Sequence, residues 1–107
     1  MRFGETLDQL LLGQRMRRAG WNGKGMWISY SPGAEALPSS AFWSDANRDF
    51  VERNGGFAKV GPCLTMKAAD GVIEMGWRPT SRDMLAHDWE VAPVTQSVGY
   101  LHEGSGI

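Results

Sequence analysis

The sequence predicts an α+β fold: a small antiparallel sheet with an N-terminal helix, a middle helix and a short helical turn near the C-terminus. Three observations carry that expectation. Helix-start residues stand at three places, near Thr6, Ser39 and Ser81. Between them lie short runs rich in aromatic and β-branched residues, bounded by turn residues. The 14 glycines in 107 residues are about twice the share expected from a roughly 7% average, which favours many turns and short strands. A chain of this length makes one domain and buries roughly 65% of the surface its unfolded form exposes, enough for one modest core.

Thr6-Leu7-Asp8-Gln9 reads as a capping box, with Thr6 as N-cap and Gln9 reaching back. Leu7, Leu10 and Leu11 follow at helical spacing, and Gly13 is a natural stop. Gln14 to Arg18 reads as a strand. Trp21-Asn22-Gly23-Lys24-Gly25 is a turn, because Asn and Gly both accept positive φ and together give the strongest short hairpin signal. Met26 to Tyr30 is a strand, ended by Ser31-Pro32-Gly33, and residues 34–40 read as a loop containing Pro38.

Ser39 or Ser40 then caps a second helix running to about Arg53, with Phe42, Ala46 and Phe50 on one face and Trp43 and Val51 beside them. Asn54-Gly55-Gly56 ends it. Ala58 to Val60 is a short strand broken by Gly61-Pro62. Cys63–Lys67 and Val72–Trp77 form a hairpin around Ala69-Asp70-Gly71. Ser81 opens a helical turn over Arg82–Ala86, and Trp89-Glu90-Val91 is a last strand. Beyond Pro93 the chain is polar and glycine-rich, and residues 97–107 read as a tail that is disordered or docks on a neighbour.

Composition excludes several function classes. Lys+Arg is 11 against Asp+Glu 12, a net charge of -1. A binder of nucleic-acid polymers or anionic membranes draws its affinity from surplus basic charge, so neither partner is expected. The apolar runs are too short to span a bilayer, and Glu5 and Asp8 interrupt any signal-peptide core. The single cysteine, Cys63, excludes an internal disulfide and a multi-cysteine metal site, and among apolar strand neighbours it reads as a small core residue. His87, with Asp88 beside it and Asp83 four residues earlier, reads as a polar turn rather than a metal site. No nucleophile elbow and no Walker pattern occur. No catalytic group, metal or cofactor is therefore expected. Gly23-Lys24-Gly25 reads either as an anion-binding nest of backbone N–H groups or as a plain hairpin turn.

The five tryptophans exceed what one small core hides comfortably, which suggests a ligand pocket or an oligomer interface. Trp21, with Asn22 and Gly23 in its turn, Trp27 on the next strand, Trp77, and then Ser81, Arg82 and Asp83 form a candidate binding set. Aromatic faces stack bases, hydroxyls or a carboxylate hold ribose, and arginine meets phosphate. The alternative is that the indoles only pack a core or an interface.

Several runs together resemble one family: Gly20-Trp21-Asn22-Gly23-Lys24-Gly25-Met26, Met66-Lys67-Ala68-Ala69-Asp70-Gly71, Gly76-Trp77, and Ser81-Arg82-Asp83-Met84-Leu85-Ala86-His87-Asp88-Trp89-Glu90-Val91. Over roughly residues 2–92 the chain is similar to the phage Thoeris anti-defence proteins of the second type. The resemblance implies a non-enzymatic sponge in the host cytoplasm. Its members capture cyclic nucleotide immune signals, glyco-cyclic ADP-ribose isomers and for some members cyclic dinucleotides, and assemble as homotetramers with pockets between protomers. It further implies one domain over 1–92, an inserted helix over 39–56 and a C-terminal extension over 93–107. Two departures bear on the ligand: Arg82 stands where the family commonly has Gln, and His87 where it commonly has an acidic residue. A nucleotide-degrading enzyme and a phage protein-interaction module are the alternative functions.

Overall fold

A computed structural model of the chain describes residues 1–93. In chain order the elements are α1 (Phe3–Leu11), β1 (Met16–Arg18), β2 (Trp27–Ser31), β3 (Ala34–Pro38), α2 (Asp45–Arg53), β4 (Phe57–Val60), β5 (Cys63–Lys67), β6 (Ile73–Met75), α3 (Ser81–Leu85) and β7 (Trp89–Val91). The fold is α+β, as the sequence predicts. The expectations placed on the tail past Pro93 lie outside the described residues. The described residues divide into two compact units: one holds Met1–Ser31 and residues 63–93, the other Pro32–Pro62.

The first unit is a five-stranded antiparallel sheet in the order β6-β5-β2-β1-β7. The register sets Met16 opposite Ile28 and Ile28 opposite Met66, so three apolar side chains line up across three strands. Leu10 of α1 and Trp89 of β7 join them, and all five are buried. Burying a side chain of this size stabilises by about 1.5–3 kcal/mol.

α1 begins earlier than the Thr6 capping box predicts. Arg2 is the N-cap residue, and the Glu5 carboxylate accepts a 3.1 Å hydrogen bond from its N–H. Thr6 lies inside the helix, fully buried, with its hydroxyl donating to the Arg2 carbonyl at 3.0 Å. The early start carries Phe3 onto the Trp89 ring, 5.3 Å between centroids, and that packing outweighs a cap at Thr6.

β1 is shorter than the predicted Gln14–Arg18, and the Asn-Gly turn does not close a tight hairpin. Only Met16 pairs with β2, because the Ala19 N–H bonds to the Asp88 carbonyl at 2.9 Å and draws the chain toward β7. Ala19–Trp21 then winds into a 3₁₀ turn. Asn22 (φ 59) and Gly23 (φ 66) do take left-handed conformations. The β5–β6 hairpin forms where expected, with the Asp70 carboxylate accepting from the Val72 N–H at 3.0 Å. β6 stops at Met75, since Gly76 (φ 76) turns the chain and the Trp77 N–H bonds to the Leu64 carbonyl. Thr80, not Ser81, caps α3, and β7 matches its prediction.

In the second unit, β3 pairs with β4. Residues 34–38, predicted as loop, are therefore strand. Pro38 is tolerated because it ends the strand, opposite Phe57, where no further ladder donor is needed. Gly33 (φ 77) precedes β3, and a Cβ there would lie 2.1 Å from the Val60 carbonyl oxygen, so only glycine permits this approach. α2 starts later than predicted. Ser44 caps it, accepting from the Asn47 N–H at 3.3 Å, while Ser39–Ala41 is a separate 3₁₀ turn. Arg48 explains the delay: its guanidinium donates to the Phe42 and Trp43 carbonyls and holds that stretch extended. Phe42 thus lies outside the helix, Ala46 and Phe50 are exposed, and Val51 is the buried residue of α2.

Candidate functional site

The site grows from the end of β1. Its last residue, Arg18, lies opposite Trp89 in the register with β7. The Arg18 guanidinium donates from Nη1 to Asp83 Oδ1 and from Nε to Asp88 Oδ1, each at 2.9 Å. The other oxygens are also used. Asp88 Oδ2 accepts from the Gly20 N–H at 2.8 Å. Asp83 Oδ2 accepts from the Thr80 N–H at 2.9 Å and the Thr80 hydroxyl at 3.0 Å, completing a capping box at the start of α3. One arginine thereby joins the turn after β1, the cap of α3 and the residue before β7.

The electrostatics follow from this cluster. The Arg18 hydrogen bond holds the Asp88 carboxyl below the usual carboxylate range, against a smaller opposing effect of burial. For Asp83 burial is the largest single effect and pushes upward. The hydrogen bonds from Thr80 and Arg18 together outweigh it, and the net shift is downward. The Asp88 hydrogen bond in turn raises Arg18. With side chains 16% and 11% exposed, Arg18 and Asp83 form an ion pair mostly shielded from water.

Above this cluster stand the indoles. Trp21 is half-buried and meets two rings edge to face: Trp77 at 6.4 Å and 83°, and Trp89 at 5.4 Å and 79°. Trp89 is core, and its indole N–H donates to the Asp83 carbonyl at 2.9 Å. Trp77 is half-buried, and Asn22, Gly23, Arg78, Ser81 and Arg82 are exposed. Among the described residues neither Arg78 nor Arg82 has a salt-bridge partner. The 22–25 loop is pinned from its far side by Lys67, whose Nζ donates to the Gly25 carbonyl at 2.9 Å.

The predicted set therefore separates into groups. Trp21 and Trp77 come together. Ser81 and Arg82 ride on α3, which Asp83 ties to Arg18, three residues before Trp21. Asp83 is buried with both oxygens committed within the chain, so it holds the helix and its neighbours in place rather than presenting a free carboxylate. Trp27 stands elsewhere. Its neighbour Ile28 faces the core, and alternation along a strand puts Trp27 on the opposite face of the sheet. There the Arg15 guanidinium lies 4.8 Å over its ring, and the Ser29 and Thr65 hydroxyls meet at 2.5 Å. His87 and the two carboxylates near it do not form a metal site. The carboxylates turn to Arg18, and among the described residues no three His, Cys, Asp or Glu side chains gather as ligands. No helix among the described residues is long and apolar enough to cross a membrane.

The model of the Thoeris anti-defense 2-like domain matches residues 1–92. The chain belongs to this family. Thoeris anti-defense 2 of Bacillus phage SP01 is 34% identical over 94 residues, covering 85% of this chain and 93% of that protein. The family is named for phage anti-defence and not for a catalytic activity. In this Thoeris anti-defense 2-like chain the matched span contains Arg18, Thr80, Asp88 and Trp89, which hold the site together but were not among the predicted site residues. Arg18 and Asp88 are 70 residues apart, and their pairing follows only from the β1–β7 register. A signal existed for Thr80: it stands three residues before Asp83, the spacing of a capping box.

Proposed function

We propose that this Thoeris anti-defense 2-like protein binds cyclic nucleotide immune signals in the host cytoplasm and sequesters them intact, acting as a homotetramer. Glyco-cyclic ADP-ribose isomers are the first ligand class and cyclic dinucleotides the second. The observation that carries the reading is the half-buried Trp21–Trp77 pair beside α3, with Arg82 exposed and without a salt-bridge partner among the described residues. An indole face stacks a base or covers a ribose, and a free guanidinium forks onto a phosphate. In this reading Trp21 and Trp77 supply the aromatic wall, Asn22 and Gly23 backbone N–H groups, Ser81 a hydroxyl and Arg82 the phosphate contact. Asp83 acts through α3, and Trp27 lies on a separate face. Sequestration works by mass action: the protein must outnumber the signal and release it slowly, and it needs no chemistry on the ligand.

The test is calorimetry against a panel of glyco-cyclic ADP-ribose isomers and cyclic dinucleotides, followed by heat denaturation and mass spectrometry of the released molecule. Tight binding with the ligand recovered at unchanged mass supports sequestration. A changed mass assigns degradation, and absence of binding across the panel ends the nucleotide reading. Light scattering on the same samples tests the tetramer.

A further inference from the structure

We propose that Arg18 is a positioning residue for the binding site: by bridging Asp83 and Asp88 it locks the turn carrying Trp21 to α3, which carries Ser81 and Arg82. This inference rests on the nucleotide reading above for its consequence, though not for its geometry.

The argument starts from what each end of the cluster holds. The chain after β1 has two direct ties to the segment before β7: the Ala19 N–H to the Asp88 carbonyl and the Gly20 N–H to the Asp88 carboxylate. The second requires Asp88 Oδ2 to face the turn, and Arg18 Nε on Oδ1 fixes that orientation. α3 is a single short helix of five residues, too short to be stable alone. Its start depends on the Thr80–Asp83 capping box, and Arg18 Nη1 on Asp83 Oδ1 leaves Oδ2 aimed at Thr80. A guanidinium is a planar fork that can serve two carboxylates at once, which the single ammonium of lysine does not match. The result is that Trp21 and Arg82, 61 positions apart in the chain, are tied to one charged group.

Positions that shape a ligand site without touching the ligand act by orientation. When such partners are removed behind metal ligands, affinity falls by about 10- to 100-fold. A loss in that range is expected here for ligand binding to Arg18→Gln and to Asp88→Asn. Arg18→Lys should recover stability more fully than affinity, since it restores charge and not the fork.

The experiment uses the full chain. Indole N–H signals of the five tryptophans are followed by two-dimensional NMR, assigned by single Trp→Phe replacement, beside calorimetry with the same panel of glyco-cyclic ADP-ribose isomers and cyclic dinucleotides. Movement of the Trp21 and Trp77 signals, with the Trp43 signal unmoved and affinity reduced, supports the proposal. Gly20→Ala keeps the test decisive if the charge variants unfold. Its Cβ would lie 2.9 Å from Asp88 Oδ2, so the carboxylate that Arg18 Nε orients must shift. Trp21 and Trp77 signals at wild-type positions in the folded variants overturn the proposal, and so does wild-type affinity despite moved signals. If the wild-type protein binds no panel member, the nucleotide reading fails by itself, and the indole signals still decide whether Arg18 places Trp21.

Discussion

Replacing Asp83 with alanine removes three hydrogen bonds at one stroke: those from Arg18 Nη1, the Thr80 N–H and the Thr80 hydroxyl. Losing the capping interaction costs about 1 kcal/mol. Losing a hydrogen bond between charged groups costs about 1.5–3 kcal/mol. The full 3–5 kcal/mol typical of breaking a buried pair is not expected, because Arg18 keeps Asp88 as a partner. The sum is a destabilisation of about 2.5–4 kcal/mol, a large part of the roughly 5–15 kcal/mol total of a domain. At about 4–8 °C per kcal/mol for a domain of this size, the melting temperature should fall by at least ~10 °C. Asp83→Asn keeps one acceptor and should lose about half as much. Urea unfolding followed by circular dichroism reads both variants, and the slope against urea should be unchanged. An Asp83→Ala protein with wild-type stability and no ligand affinity would refute the reasoning, since the carboxylate would then serve the ligand and not the fold.

Trp21→Ala should weaken ligand binding about 5- to 150-fold, the equivalent of ~1–3 kcal/mol for lost stacking, with the far-ultraviolet circular dichroism retained; calorimetry reads it. Arg82→Ala should lower affinity and flatten its dependence on salt, because an exposed contact to phosphate is screened by ions; titrations at three salt concentrations separate the two effects. Asp83 and Asp88 both have folded-state values below the ordinary carboxylate range. Their contribution to stability is thus present above the unfolded value of about 3.9 and is lost as pH falls through the lower folded values. Melting temperatures measured from pH 6 downward should drop below about pH 4, and Asp88→Asn should make that drop shallower. A variant whose profile overlies the wild type would remove Asp88 from the acid response.

Local chemistry determined much of this protein. The β5–β6 hairpin, the last strand at Trp89–Val91, the left-handed Asn22-Gly23 pair and the stop of α2 at Asn54-Gly55-Gly56 each depend on residues a few positions apart, and each was legible. Where a local signal misplaced the start of an element, tertiary packing decided it. The sequence placed the start of α1 at Thr6, and burial of Phe3 against Trp89 moved it to Arg2. The sequence placed the cap of α2 at Ser39 or Ser40, and the Arg48 contacts to the Phe42 and Trp43 carbonyls moved it to Ser44. Residues 34–38 carry Pro38 and read as loop until β4 supplies the partner strand. The separation of Trp27 from Trp21 and Trp77 needed the sheet register, which sends adjacent residues to opposite faces. The Arg18 cluster was the least legible of all. Its bonds span 65 and 70 residues, and a sequence pattern reports what lies within a turn or a strand, while a charge finds its partner only after the strands that carry it have paired.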